Sequence, residues 1–324
     1  MKAVLCKAYG PPESLVIEDI PSVVPGPGEV VISVKAASVN FPDTLIIQNK
    51  YQTKPPLPFS PGSECAGVVK EVGAGVTRVR PEDRVMAVTT YGSFAEEVVT
   101  PESRLLDIPP GMDFQTASAF TLTYGTSGHA LIDRGELKAG ETLLVLGASG
   151  GVGLAAIEIG KALGAKVIAC ASSTDKLAVC EEHGADDVIN YETQDLRERI
   201  KGLTNGVGVD VVYDAVGGPY SEPALRSIRW RGRFLVIGFA AGEIPKIPLN
   251  LPLLKGCSIV GVYSGEFVKR EPAHFAALMK QLGEWYQLGR LKPFVSETLP
   301  LERVAEALTL MSSRKVKGKL VLTV

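Results

Sequence analysis

"TLLVLGASGGVGLAAIEIGKALGAKVIACASSTDK", residues 142–176, holds the first reading of this chain. "TLLVL" is a short apolar run and reads as a buried strand. It enters Gly147-Ala148-Ser149-Gly150-Gly151-Val152-Gly153 directly, and an amphipathic helical pattern follows until Gly164. "KVIACA" is the next strand. Glycines let the backbone turn tightly and come close to a ligand, while the helix start offers free N–H groups and a partial positive charge. Strand, glycine loop, helix and strand in this order make a pyrophosphate cradle, although the strict G-x-G-x-x-G spacing is absent. Four glycines within residues 147–153 would weaken the turn and the helix start for nothing if no ligand bound there.

The end of the second strand bears on which dinucleotide binds. Enzymes that use NAD place Asp or Glu there, bonded to the ribose 2′-hydroxyl. This chain has Ser172 and Ser173, with Lys176 close behind. Two hydroxyls and an ammonium group suit a 2′-phosphate, which a carboxylate would repel, so NADPH is favoured. Asp175 keeps NADH open.

Further along, "TDKLAVCEEH" reads as a helix, "DVIN" and "VDVVYDAV" as strands, "PALRSI" as a helix, "GRFLVIGF" as a strand and "CSIVGVY" as the last strand of the set. This alternation predicts an α/β fold with a parallel sheet covered on both faces. Before it, the first 110 or so residues are Val-rich and punctuated by Pro and Gly, as in "PSVVPGPGE" and "KPPLPFSPG", which predicts a compact β-rich domain. "DFQTASAFTLTYGTSGHALID" then opens a helix with Asp113 as its N-cap. After Gly265 come two helical stretches around "FVSETLP", and a final strand, "KLVLTV".

The chain has 324 residues, 45% of them hydrophobic, and a formal net charge of −2. That length favours two domains. The near-neutral balance offers no attraction to nucleic acid or an anionic membrane. No apolar run approaches the roughly 20 residues that span a bilayer, and the N-terminal stretch does not read as a targeting peptide. A cytoplasmic enzyme is expected. The five cysteines have no CxxC spacing, which argues against a disulfide framework or a zinc ribbon. Cys6, Cys170 and Cys257 lie in strand-like runs and read as small core hydrophobes.

The order of parts resembles the medium-chain dehydrogenase/reductase superfamily, and within it the zinc-independent quinone oxidoreductase family that includes the zeta-crystallins. The segments that carry the resemblance are "AASVNFPDTL" (36–45), "PPLPFSPGSECAGVV" (55–69), "LTYGTSGHAL" (122–131), the 142–176 stretch, "GADDVINY" (184–191) and "VKGKLVL" (316–322). It implies a GroES-like β-rich catalytic domain over 1–123 and 264–324, and a Rossmann NADPH-binding domain over 124–263. Ser149, Gly150, Gly151 and Val152 would hold the pyrophosphate, and Ser172, Lys176 and Tyr191 the 2′-phosphate. Gly238, Phe239 and Val262 would line the nicotinamide, with Thr123 also at the cofactor. It further implies a homodimer joined through the strand "CSIVGVY"; a further strand within one subunit would cover that edge equally well.

Zinc-dependent relatives carry Cys at the position of Asn40, and Gly-His-Glu where this chain has Gly62-Ser63-Glu64. A catalytic zinc takes about three protein ligands, chiefly Cys and His. None of the three histidines, His129, His183 and His274, is near this segment, and Glu64 and Cys65 on a strand would point to opposite faces. No metal is expected. Without a Lewis acid, hydride goes most readily to a conjugated acceptor such as a quinone or an enone. The resulting enolate needs a hydrogen-bond donor for its oxygen and a proton for its α-carbon. Asn40 offers a side-chain amide and Tyr51 a phenol, these two being the expected catalytic residues. Tyr51 reads equally as a ring packed in a Pro-rich loop, though zinc-free enoyl-thioester reductases carry their donor tyrosine at this position. Asp43 reads as a helix-start residue. Many quinone reductases of the family have tyrosine where this chain has Leu45, which leaves other unsaturated carbonyls open.

The expected activity is NADPH-dependent reduction of quinones or α,β-unsaturated carbonyls. The alternatives are a 2-enoyl-thioester (acyl-CoA) reductase, which needs a basic patch such as "RSIRWRGR", and a non-catalytic, crystallin-like NADPH-binding protein. The arginine run reads more simply as a solvated helix end.

Overall fold

Valine-rich segments separated by Pro and Gly turns pair into antiparallel sheets in the N-terminal part of the chain. The computed structural model describes residues 1–324 and divides into two units, Met1–Leu122 with Pro293–Val324, and Thr123–Lys292. In the first unit, β1 (Lys2–Leu5) pairs antiparallel with β2 (Val16–Asp19). The long β3 (Glu29–Val39) runs into α1 (Phe41–Ile46), followed by β4 (Glu64–Val72), β5 (Arg84–Val88), β6 (Glu97–Pro101) and β7 (Leu105–Asp107). α2 (Phe114–Gly128) follows, and the Asp113 carboxylate accepts the Thr116 N–H at 2.7 Å, as expected of its N-cap.

The second unit is built around β8 (Thr142–Leu146), α3 (Gly151–Ala162), β9 (Lys166–Ala171), α4 (Thr174–Glu182), β10 (Asp187–Asn190), α5 (Leu196–Leu203), β11 (Val209–Asp214), α6 (Ser221–Arg226), β12 (Ile228–Val236), α7 (Asn250–Lys255) and β13 (Ser258–Gly261). The strands form one parallel sheet in the order β10-β9-β8-β11-β12-β13. This is the doubly wound Rossmann order, and ligands bind outside the strand carboxyl ends where it reverses, here between β8 and β11. Leu144, Leu146, Ile168, Cys170, Val212 and Phe234 fill one layer of its core. α5, capped by Asp195 through the Glu198 N–H at 2.9 Å, is a helix the sequence reading had not assigned.

The chain leaves the second unit later than the resemblance implied. α8 (Ser264–Arg270) and α9 (Pro272–Gln287) stay with the nucleotide-type sheet, and the crossing falls at Pro293 rather than at 264. α9 buries Phe275, Leu278, Met279 and Leu282. Against Gly125 of α2, a Cβ would lie 2.9 Å from the Phe275 ring and 3.2 Å from Met279 Sδ. Buried Glu158 of α3 closes the unit by accepting the Lys292 N–H at 2.8 Å and the Tyr124 hydroxyl at 2.7 Å, with His183 Nδ1 at 2.5 Å. An amphipathic helix looks the same in sequence whichever core it covers, so only these contacts decide its unit.

β14 (Val295–Pro300), α10 (Val304–Ser312) and β15 (Lys319–Thr323) complete the first unit, whose main sheet runs β14-β15-β3-β4-β5-β7 with β6 also on β3. The arginine run proves to lie largely on β12 rather than at a helix end. Arg226 pairs with Glu222 at 2.6 Å, Arg229 with Asp210 at 2.8 Å and Arg233 with Glu141 at 2.6 Å. No helix is long and apolar enough to cross a membrane.

Gly125→Val is expected to lower stability by about 1–3 kcal/mol through overpacking against α9. A urea melt reads this directly, and an unchanged midpoint would mean α9 does not press on α2.

Candidate active site

Ten of the eleven residues expected at the cofactor follow the carboxyl end of a strand in the parallel sheet, and the other, Thr123, is buried in α2. Ser149 to Val152 follow β8, Ser172 and Lys176 follow β9, Tyr191 follows β10, Gly238 and Phe239 follow β12, and Val262 follows β13. Two glycines are demanded by the fold itself. Gly147 turns the chain at φ +71°, and a Cβ on Gly153 would come within 2.4 Å of the Gly147 carbonyl oxygen. Gly150 is different. Its φ is −80°, and the nearest atom to a Cβ there would be 3.5 Å away. The nearest atom to a Cβ on Gly238 would likewise be 3.6 Å away. The protein's own packing leaves these two side chains out without needing to, which is what close backbone approach to a ligand requires. The first N–H groups of α3 lack helical partners and present a site for an anion. Ser127 steadies the loop by donating to the Val152 carbonyl at 2.8 Å, and its hydroxyl meets that of Tyr213 at 2.9 Å. The residues therefore fit a dinucleotide.

At the far end of this cradle, Lys176 Nζ donates to Ser172 Oγ at 3.1 Å. Ser173 donates to Asp175 at the start of α4. Tyr191 packs against Tyr220 with ring centres 4.3 Å apart and planes tilted by 39°, and the Tyr220 hydroxyl donates to Glu192 at 2.6 Å. Across the switch point, buried Asp214 accepts the Val216 and Gly217 N–H groups at 2.9 Å and the Ser221 hydroxyl at 2.5 Å, shaping the loop after β11. Burial raises its pKa against these hydrogen bonds.

In the first unit, the carboxyl end of β3 and the starts of the antiparallel neighbours β4 and β15 converge, because β3 lies between them in the sheet. The convergence gathers Ser38, Asn40, Glu64 and Lys319. Glu64 has no exposed surface. Its Oε1 accepts from the Ser38 hydroxyl, from Asn40 Nδ2 at 3.0 Å and from Lys319 Nζ at 3.2 Å, and its Oε2 from the Leu122 N–H at 2.8 Å. Lys319 also donates to Asn40 Oδ1 at 2.6 Å and to the Val39 carbonyl at 3.1 Å. Asp43, buried in α1, accepts the Asn40 N–H at 2.8 Å, the helix-start role expected of it. Burial pushes its carboxyl up to about 7, opposed by that N–H, the Lys319 charge and the nearby Ser63 hydroxyl. Ser63 Oγ itself makes no hydrogen bond of good geometry.

Asn40 therefore sits within a charged network rather than alone, and Lys319 is the member that sequence reasoning missed. It pairs with Glu64 across 255 residues, a distance no local pattern spans. Tyr51 is half-buried with its ring packed on the first unit's core. Cys65 faces that core opposite Glu64, and burial pushes its thiol up to about 12, far from the thiolate a metal needs. No three His, Cys, Asp or Glu side chains gather as a metal-binding group. Where zinc-dependent relatives place ligands, this chain offers an amide, a hydroxyl and a carboxylate already paired with an ammonium group, and these do not fit zinc.

A β-rich unit carrying a polar cluster, with a Rossmann unit carrying a glycine cradle, defines a two-domain nucleotide-dependent dehydrogenase or reductase. Residues 26–110 match the alcohol dehydrogenase GroES-like domain and residues 151–283 the zinc-binding dehydrogenase domain. The chain is 39% identical to a quinone oxidoreductase-like protein 2 homolog of Nematostella vectensis, over 99% of this chain and 88% of that one. It is 34% identical to a quinone oxidoreductase of Pseudomonas aeruginosa, over 99% of each. The Escherichia coli quinone oxidoreductase solved in complex with NADPH superposes with a TM-score of 0.93 at 28% identity, covering 100% of both chains. The chain belongs to the quinone oxidoreductase family of the medium-chain dehydrogenase/reductase superfamily and is an oxidoreductase.

Asp43 makes stability depend on pH. Its folded pKa lies above the unfolded value near 3.8, so the folded state binds the extra proton and stability falls as pH rises from about 4 to 7. Asp43→Asn removes this slope, at most about 1.4 kcal/mol per pH unit. Urea melts of both proteins across that range should show the wild type losing ground to the variant as pH rises.

Proposed function

We propose that this chain is an NADPH-dependent reductase of quinones and related α,β-unsaturated carbonyls that works without a metal ion. The observation that carries the reading is the Lys319 ammonium group bound to both Glu64 and Asn40, which takes up the two side chains that would have to be free for a cation to be held there. With no Lewis acid to polarise a simple carbonyl, the acceptor must be one already activated by conjugation. NADPH when bound supplies the hydride. The glycine loop and the start of α3 hold its pyrophosphate, and Ser172, Lys176 and Tyr191 its 2′-phosphate; no carboxylate stands on the end of β9 to repel that group. Thr123, Gly238, Phe239 and Val262 complete the cofactor site. Asn40 Nδ2 spends one hydrogen on Glu64 and makes only long contacts, 3.3 and 3.4 Å, with Ser38, so its amide can still donate to the substrate oxygen as charge develops. Tyr51 supplies the proton through its hydroxyl. Enoyl-CoA is the weaker candidate, because three of the four arginines in the basic run are already paired with carboxylates. All five cysteines are free and four are buried, in keeping with a reducing cytoplasm.

Purified protein should oxidise NADPH with 9,10-phenanthrenequinone or an enone, at the same rate with and without a chelator. Turnover that appears only on adding zinc would sink the reading. Lys176→Ala should weaken NADPH by about 10- to 100-fold, the size of one charge-assisted hydrogen bond, and leave NADH little changed. Equal loss for both would remove Lys176 from the 2′-phosphate.

The same reading includes a homodimer. β13 is an edge strand of the parallel sheet, and nearby Trp230, Ile244, Leu249, Leu253 and Leu254 are exposed, Leu249 by 81% and Leu253 by 78%. An apolar edge of this kind requires a cover, and a second copy pairing β13 with β13 provides one. Light scattering should find a dimer, and Leu253→Glu with Leu254→Glu should give monomers. A wild type that is monomeric at micromolar concentration would exclude this cover.

A further inference from the structure

We propose that Lys319 is a positioning residue of this enzyme, its ammonium group setting the orientation of the Asn40 amide. The inference rests on the reductase reading for its catalytic consequence, and on the side-chain geometry alone for the orientation.

An ammonium group only donates and an ionised carboxylate only accepts. Lys319 Nζ stands 2.6 Å from Asn40 Oδ1, and Glu64 Oε1 stands 3.0 Å from Asn40 Nδ2. Turning the amide over would set its NH₂ against the ammonium group and its oxygen against the carboxylate, so one orientation survives. Lys319 is itself immobile, with its three hydrogens directed to Asn40, Glu64 and the Val39 carbonyl, and it is 5% exposed. The amide is thus held at both ends by charged partners, and the ammonium group on Oδ1 draws density from the amide nitrogen in the sense that strengthens its remaining N–H as a donor. Asp43 from α1 accepts the Asn40 backbone N–H and, in the capping box, turns its own backbone N–H to the Asn40 side chain, so the start of α1 favours the same orientation that Lys319 and Glu64 set with their charges. The cation is carried on the chain, at the start of a strand drawn from the last few residues, and needs no ligand set.

The test compares wild type with Lys319→Met, Lys319→Arg, Asn40→Ala, Asn40→Ala/Lys319→Met and Glu64→Gln/Lys319→Met. Lys319→Met should lower kcat with phenanthrenequinone by about 10- to 100-fold, the loss of one charge-assisted hydrogen bond. The KM for NADPH should hold, because the cofactor residues lie in the other unit. Lys319→Arg should recover part of kcat, and Asn40→Ala/Lys319→Met should be no slower than Asn40→Ala. Glu64→Gln/Lys319→Met removes both charges, so its melting temperature should return towards wild type while kcat stays low. Full recovery of kcat in that variant, or multiplying losses in the Asn40 pair, would overturn the proposal and leave Lys319 a purely structural partner. Nuclear magnetic resonance of the Asn40 side-chain NH₂ gives a readout free of turnover: slow solvent exchange in wild type and faster exchange in Lys319→Met are expected. Equal exchange in the two would overturn the orientation whether or not any acceptor is reduced, whereas an inactive wild type with the expected exchange difference would fault only the reductase reading.

Discussion

A carboxylate removed from water must be matched on every side, and Glu64 sets that constraint on the first unit of this protein. Its four donors come from different stretches of chain: Ser38 and Asn40 around the end of β3, Lys319 at the start of β15, and Leu122 in α2. Satisfying one side chain therefore requires β3 to lie between β4 and β15, with α2 docked at their ends. The register agrees, since Ser38 stands opposite Val321 and Ala37 opposite both Leu322 and Cys65. The Asn40 amide is held there between opposite charges, Lys319 on its oxygen and Glu64 on its nitrogen.

The second unit solves a different problem, that of binding an anionic cofactor with little side-chain charge. Its cradle is built from main chain. Gly147 and Gly153 permit the loop to fold against α3, whereas a Cβ on Gly150 or Gly238 would meet only ordinary contacts at 3.5 and 3.6 Å, so packing does not demand glycine there. At the end of β9 polar side chains gather, where Ser172 and Lys176 lie in contact and Asp175 accepts from Ser173. The division of labour is between strand order, which makes the crevice, and the few polar side chains that stand at its end.

Much of this was legible in the chain. The strand–glycine loop–helix pattern of 142–176 is local, so its periodicity and turn chemistry could be read directly. Asn40, Ser63 and Glu64 could be singled out as well, because residue identity within a matching motif is local information, whereas what they bond to in the fold is not. The unit boundary at Pro293 was not, since α8 and α9 declare their allegiance only through Phe275 and Met279 against Gly125 and through Glu158 on Lys292. The arginine run misled for a similar reason: its carboxylate partners Asp210 and Glu141 come from other elements of the sheet unit.

The sequence by itself determined the class of protein, a β-rich unit joined to a doubly wound nucleotide sheet, along with the glycine loop between β8 and α3. These depend on periodicity and residue type within a few tens of residues. Only the tertiary structure decided which charge meets the buried carboxylate of the first unit. Lys319 and Glu64 meet because antiparallel pairing of β15 and β4 on either side of β3 brings their starting ends together at the end of β3. Such strand pairing is a non-local choice of the folded chain, and neither residue's neighbours in sequence record it.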